Sequence, residues 1–201
     1  YACVFLPGIS GDALTEEYSP LASLLNEINI ALLRLQPWIT KDALESLTLN
    51  DIQQQIELAA SFLRSKGYQH VFGIGKSFGG AVLLYTAPTL FEKLVLWAPS
   101  VRITETSSIN SLRAAQLGKI ESIFDIHPNK EDLSICPPTL VIYGDQDTIV
   151  SAKSMRDLVD TLPNAKLVTI PGMAHSPASA RETEKLYKTT IDYFSGARLS
   201  A

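Results

Sequence analysis

Five residues, Gly75-Lys76-Ser77-Phe78-Gly79, set a serine hydroxyl between two glycines. The apolar run from His70 to Ile74 precedes them and a second run, Ala81 to Tyr85, follows, which reads as strand, sharp turn, helix. A bend this tight leaves no space for side chains on the flanking residues, and Gly75 and Gly79 supply that space. The start of the following helix offers backbone N–H groups, so the N–H of Phe78 can face an oxyanion forming on a carbon that Ser77 attacks. The embedded Gly-Lys-Ser also suggests a phosphate-binding loop. That motif requires a glycine five residues before its second one, where His70 stands, so the phosphate reading fails.

A serine hydroxyl is a poor nucleophile at neutral pH. It needs a base to take its proton, and the base needs a partner to hold its tautomer and stabilise its cation. The chain has 3 histidines. His70 enters a strand and His127 precedes Pro128 in an irregular stretch, which makes packing or surface roles the simpler reading for both. His175 stands in the loop Pro171–Ser176 directly after an apolar run. For the acid, Asp145 and Asp147 both follow the run Thr139–Tyr143, and their positions alone leave either open.

These residues need a scaffold, and the hydrophobic pattern supplies one. Apolar runs at Val4–Leu6, Ala31–Leu35, His70–Ile74, Lys93–Ala98, Thr139–Tyr143 and Lys166–Ile170 read as strands. Between them lie helical patterns. One opens at Ser19-Pro20, with Ser as cap and Pro at the first helical position. Another shows a stripe of Ile52, Ile56, Ala59 and Leu63, with Asn50 and Gln53 as its capping pair and Gly67 as its end. Others run from Ser77 to about Pro88, from Ser151 to Leu162 and from Ser179 to Phe194, the last closed by Gly196. Alternating strands and helices predict an α/β fold, a mostly parallel sheet of about six strands with helices on both faces. In such sheets the site lies outside the carboxyl ends of the strands. The loop after Leu6, the turn at Ser77, the loop with Asp145 and Asp147, and the loop with His175 all fall there.

The chain order serine, acid, histidine, together with Gly75-Lys76-Ser77-Phe78-Gly79, Gly144-Asp145-Gln146-Asp147-Thr148-Ile149-Val150 and Gly172-Met173-Ala174-His175, resembles the α/β-hydrolase superfamily over essentially the whole chain. The resemblance implies a catalytic set of Ser77, Asp147 and His175, with Asp145 left to shape its loop. It also implies that the backbone N–H of Ile9, in Leu6-Pro7-Gly8-Ile9, joins that of Phe78 in an oxyanion hole. The family usually has His-Gly there, and this chain has Pro7-Gly8. The family's first two strands are missing, which implies a minimal version: a single domain over residues 1–201, with a short lid-like insertion around residues 100–135. The expected activity is hydrolysis of a small carboxylic ester or thioester through an acyl-enzyme, with no cofactor and no metal. Acyl transfer, amide cleavage and carbon–carbon cleavage use the same machinery, and a non-catalytic ligand-binding module would keep the same fold. Trp38, Met173 and the apolar residues between Ile103 and Ile126 are candidate substrate-pocket walls, whereas Trp97, inside a strand, reads as core.

Composition limits the partners. A formal net charge of -4 without a basic cluster argues against nucleic acid or an anionic membrane and suits a small-molecule acyl substrate. No apolar run has the length of a membrane span, and Tyr1–Leu6 lacks the charged region of a secretory signal, so a cytoplasmic location is expected. The chain does not begin with Met, which leaves room for a removed leader. The resemblance also implies the hydrolase strand order, in which the first strand neighbours the second and third and the fifth neighbours the fourth and sixth, so the 2 cysteines, Cys3 and Cys136, are expected strands apart and unbridged.

Overall fold

The computed structural model describes residues 1–9, 11–38, 47–101 and 133–196. Six strands, β1 (Ala2–Leu6), β2 (Ala31–Arg34), β3 (Val71–Lys76), β4 (Leu94–Trp97), β5 (Thr139–Gly144) and β6 (Ala165–Ile170), form one sheet in the order β2-β1-β3-β4-β5-β6. Every pairing is parallel. Five α-helices are described: α1 (Ser19–Glu27), α2 (Leu49–Ser65), α3 (Phe78–Thr86), α4 (Ala152–Thr161) and α5 (Ala180–Ser195).

Alternate residues of each strand face opposite ways, and here both faces are apolar. Ala2, Val4 and Leu6 of β1, with Leu94 and Leu96 of β4, pack with Ile52, Ile56 and Leu63 of α2, Val82 and Leu83 of α3 and Met155 and Leu158 of α4. Cys3 and Phe5, Phe72 and Ile74, and Val95 and Trp97 pack on the other face with Leu21 and Leu25 of α1 and Leu186, Tyr187 and Phe194 of α5. Helix α3 is buried from Phe78 through Leu84, as a segment without a polar face must be. Trp97 is a core residue as expected: its indole N–H donates to the Thr190 hydroxyl at 3.0 Å.

The chain leaves β1 outward to β2, then returns across β1 to β3 and continues the other way. The loops after β1 and β3 therefore stand side by side at the carboxyl edge, where sites of such sheets form.

Two helix starts differ from expectation. Thr48, not Asn50, caps α2: its hydroxyl accepts the Asp51 N–H at 3.2 Å, and the Asp51 carboxylate accepts the Thr48 N–H at 2.8 Å. A carboxylate is the stronger acceptor, so this reciprocal pair holds the start and places Asn50 and Gln53 inside the helix. At α1 a 3-10 turn, Glu16–Tyr18, runs straight into the helix. Ser19 then becomes its first residue, and the Ser19 hydroxyl donates to Glu16 at 2.8 Å instead of capping.

Cys3 and Cys136 are free and buried, one in β1 and the other just ahead of β5. Most of the expected lid, residues 102–132, and His127 with it, lies outside the described residues. No helix among the described residues is long and apolar enough to cross a membrane.

Candidate active site

Strand β3 ends at Lys76 and α3 begins at Phe78, so Ser77 alone makes the reversal between them. Its backbone holds φ 51° and ψ −118°, a conformation that costs a residue with a side chain on the order of 1–3 kcal/mol. The surroundings enforce it. The Ser77 N–H donates to the Trp97 carbonyl at 2.8 Å, and the Ser77 carbonyl accepts from Ala81 at 3.1 Å and Ser100 at 3.1 Å. A Cβ on Gly79 would lie 2.3 Å from the Pro7 carbonyl oxygen and 2.6 Å from that of Leu6, so only glycine lets the start of α3 press against the loop after β1. The Ser77 side chain makes no cap bond to α3, which leaves its hydroxyl for other partners.

One of those partners is His175. Its Nε2 lies 3.0 Å from Ser77 Oγ, and its Nδ1 lies 2.8 Å from Asp147 Oδ2. An ionised carboxylate can only accept, so Nδ1 carries the ring proton and Nε2 is left to accept from the serine. The Asp147 side chain is fully buried, and its Oδ1 accepts the N–H groups of Ile149 at 2.8 Å and Val150 at 2.9 Å. Both oxygens are thereby engaged, and the carboxylate cannot swing away from the ring. Asp145 does different work: its Oδ1 accepts the Gly172 N–H at 2.7 Å and ties the loop after β5 to the loop that carries His175. His70 sits at the amino end of β3, exposed and paired with Glu92 at 2.8 Å, far from this arrangement in the sheet.

Sequence reasoning did not single out Ser100. Its hydroxyl lies 2.9 Å from Ser77 Oγ. With the Ser77 proton directed at His175, Ser100 is the donor in that contact. Ala98, at φ 43°, turns the chain after β4 so that Ser100 reaches back to Ser77. The available clue was position alone: Ala98-Pro99-Ser100 follows the strand next to β3.

Gly8 lies beside the nucleophile, since a Cβ on it would be 3.5 Å from that of Ser77. The Gly8–Ile9 peptide and the start of α3 therefore flank the serine. The side chains expected to wall a substrate pocket are placed differently. Trp38 and Met173 are only 3% and 2% exposed, each inside a core cluster. Met173 borders a cavity of about 10 Å³ behind His175 that also touches Glu17, Lys76 and Tyr187. Burial holds the Lys76 ammonium below its ordinary pKa, against the opposing pull of Glu17. Lys76 thus faces the α1 and α5 side of the sheet, away from a phosphate-binding role. The apolar candidates between Ile103 and Ile126 lie outside the described residues.

The sequence profile of the family described as serine hydrolase, FSH1, matches residues 31–186, from β2 into α5. The chain belongs to the FSH1 serine hydrolase family. It is an enzyme of the α/β-hydrolase fold, and solved structures agree on that fold. Est1E from Butyrivibrio proteoclasticus is similar over 96% of this hydrolase and 88% of its own chain, with a TM-score of 0.76 at 20% identity. Alpha/beta hydrolase domain-containing protein 10 from mouse is similar over 97% and 90%, with a TM-score of 0.70 at 15% identity. XC6422 from Xanthomonas campestris, described as a serine hydrolase without lid, is similar over 96% and 79%, with a TM-score of 0.64 at 20% identity. At these identities the likeness speaks for the fold alone. Compared with curated protein sequences, the hydrolase finds no match.

Proposed function

We propose that this hydrolase cleaves a small carboxylic ester or thioester through an acyl-enzyme on Ser77. The observation that carries the reading is the unbroken path from Ser77 Oγ through His175 to Asp147, with bonds of 3.0 and 2.8 Å. His175 Nε2 takes the hydroxyl proton as Ser77 Oγ bonds to the acyl carbon. Asp147 stabilises the imidazolium that forms. The backbone N–H groups of Ile9 and Phe78 hold the tetrahedral oxyanion. Collapse breaks the bond to the alcohol or thiol, which leaves with the proton from His175. Water then repeats the sequence on the acyl-enzyme, giving up a proton to His175 and releasing the acid and free Ser77.

A fluorophosphonate probe tests this, because the base and donors that serve a substrate also serve the probe. Label is expected on Ser77 and no other serine, absent in Ser77→Ala and much reduced in His175→Ala. A folded protein that leaves Ser77 unlabelled and hydrolyses none of a broad ester and thioester panel overturns the reading. Labelling combined with turnover only on amides, or only in the presence of an acyl acceptor, would move the activity to those chemistries on the same residues.

A further inference from the structure

Three alternate residues after the start of β2 reach into the loop that follows β1. Arg34 donates to the Thr15 carbonyl at 2.9 Å. Gln36 accepts the Ala13 N–H at 2.6 Å and donates to the carbonyls of Gly11 at 3.1 Å and Trp38 at 2.9 Å. Trp38 donates its indole N–H to the Gly8 carbonyl at 3.2 Å. Among the described residues that carbonyl has one further partner, the Gly11 N–H at 2.9 Å, so both of its lone pairs are engaged.

The Gly8 carbonyl and the Ile9 N–H belong to one planar trans peptide, in which C=O and N–H point in opposite directions. Fixing the carbonyl therefore fixes the direction of the Ile9 N–H. Two donors on the carbonyl oxygen also polarise the amide and make its N–H the stronger donor. The same indole meets the Phe78 ring edge-on, with centroids 5.1 Å apart. Phe78 carries the second backbone donor, at the first position of α3. Trp38 is 3% exposed, so water does not compete for its N–H.

We propose that Trp38 is a positioning residue that braces both halves of the oxyanion hole, holding the Gly8–Ile9 peptide by a hydrogen bond and Phe78 by ring contact. The inference rests on the acyl-enzyme reading above. It moves Trp38 from the pocket wall to the frame behind the reacting atoms. Its effect belongs to the transition state, where charge sits on the oxyanion, and not to substrate binding.

The test compares wild type with two variants. Trp38→Phe keeps a ring for Phe78 and loses the donor. Benzothienylalanine placed at position 38 keeps the indole shape and exchanges the N–H for sulfur, which guards against a phenylalanine variant that fails to fold. Three quantities are measured: the rate of Ser77 phosphonylation by a fluorophosphonate, kcat and KM on p-nitrophenyl acetate, and affinity for a trifluoromethyl ketone, which forms a tetrahedral adduct. Because a misdirected donor costs less than a deleted one, phosphonylation and kcat are expected to fall about tenfold in both variants, with KM within about twofold of wild type. The ketone should weaken by the same factor as kcat. A folded benzothienylalanine variant with unchanged kcat and phosphonylation overturns the proposal, as does a raised KM with unchanged kcat, the signature of a pocket wall. Wild-type protein that neither labels nor turns over refutes the acyl-enzyme reading, and this inference with it. Wild type that labels, beside variants that label equally fast, refutes only the role of Trp38.

Discussion

Two aspartates two residues apart have unlike tasks in this hydrolase, and the difference lies in what each oxygen touches. Asp147 accepts from a histidine and two backbone amides, while Asp145 accepts from the Gly172 amide across to the neighbouring loop. On the proposed acyl-enzyme mechanism Asp147→Asn removes the charge that stabilises the imidazolium and allows the wrong ring tautomer, so kcat is expected to fall by about 10⁴ with the fold intact. Asp145→Asn retains an oxygen acceptor for Gly172 and should keep activity within about tenfold of wild type. Steady-state kinetics with circular dichroism as a folding control decide it, and a more damaging Asp145→Asn would exchange the two roles. Ser77, His175 and the two aspartates were legible because each follows an apolar run at one end of a parallel sheet. Ser100 and the Trp38 contact were not. They depend on a positive φ at Ala98 and on a bond between residues 30 positions apart, neither of which leaves a local pattern.

Among the elements, helix starts carry most of the positioning. Gly79 lets the first turn of α3 touch the loop after β1, and Gly79→Ala would drive a methyl group into two backbone carbonyls that cannot step aside. Overpacking of this kind costs about 1–3 kcal/mol, and the displaced α3 would move the Phe78 amide away from Ser77. Chemical denaturation and fluorophosphonate labelling should therefore both report the change. Ser179→Ala offers the contrast. Ser179 caps α5 by accepting the Glu182 N–H at 3.3 Å, and its loss should cost about 1 kcal/mol with labelling of Ser77 unaltered. A Gly79→Ala protein that labels at the wild-type rate would show that the close approach is dispensable. The stripes and end glycines of these helices were readable from periodicity. The caps of α1 and α2 were misread because several polar residues at similar spacing compete for each start. The winners, the Asp51 carboxylate at α2 and the Glu16–Tyr18 turn ahead of α1, are decided by acceptor strength and by preceding backbone.

For the whole molecule, the two-faced core sets the response to alkali. Burial pushes the Cys136 thiol up to about 11 and the Tyr187 and Tyr193 phenols up to about 12, with Glu17 adding to the rise at Tyr187. Cys3 and Tyr18 are raised by burial in the same direction. In the unfolded chain thiols ionise near about 8.5 and phenols near about 10, so above those values the unfolded state binds fewer protons than the folded one. Stability contributed by these groups is complete below about pH 8.5 and declines as pH rises through their folded values. The denaturation midpoint should fall steadily above about pH 9, with a step in tyrosinate absorbance coinciding with loss of the helical signal. Tyrosines that all titrate while the helices persist would contradict this. The strand order followed from the hydrolase resemblance and so did the separation of Cys3 from Cys136. The two clusters assign each helix to its face, which alternation along single strands cannot do.

The hydrolase has 2 tryptophans, and Ser77 lies between the contacts of both. Trp38 stands behind the Gly8–Ile9 peptide, and Trp97 gives its carbonyl to the Ser77 N–H at 2.8 Å. Every fluorescent indole in the molecule is thus tied to the position where a covalent adduct would form. Phosphonylation of Ser77, verified by mass, should shift the intrinsic emission, and Trp38→Phe should remove most of the shift while leaving the Trp97 signal. Constant emission in a fully labelled protein would disprove the coupling. Where the coupling holds, an ester with no chromophore of its own makes its acylation visible in the ultraviolet glow of the enzyme, and candidate substrates can be screened by light alone.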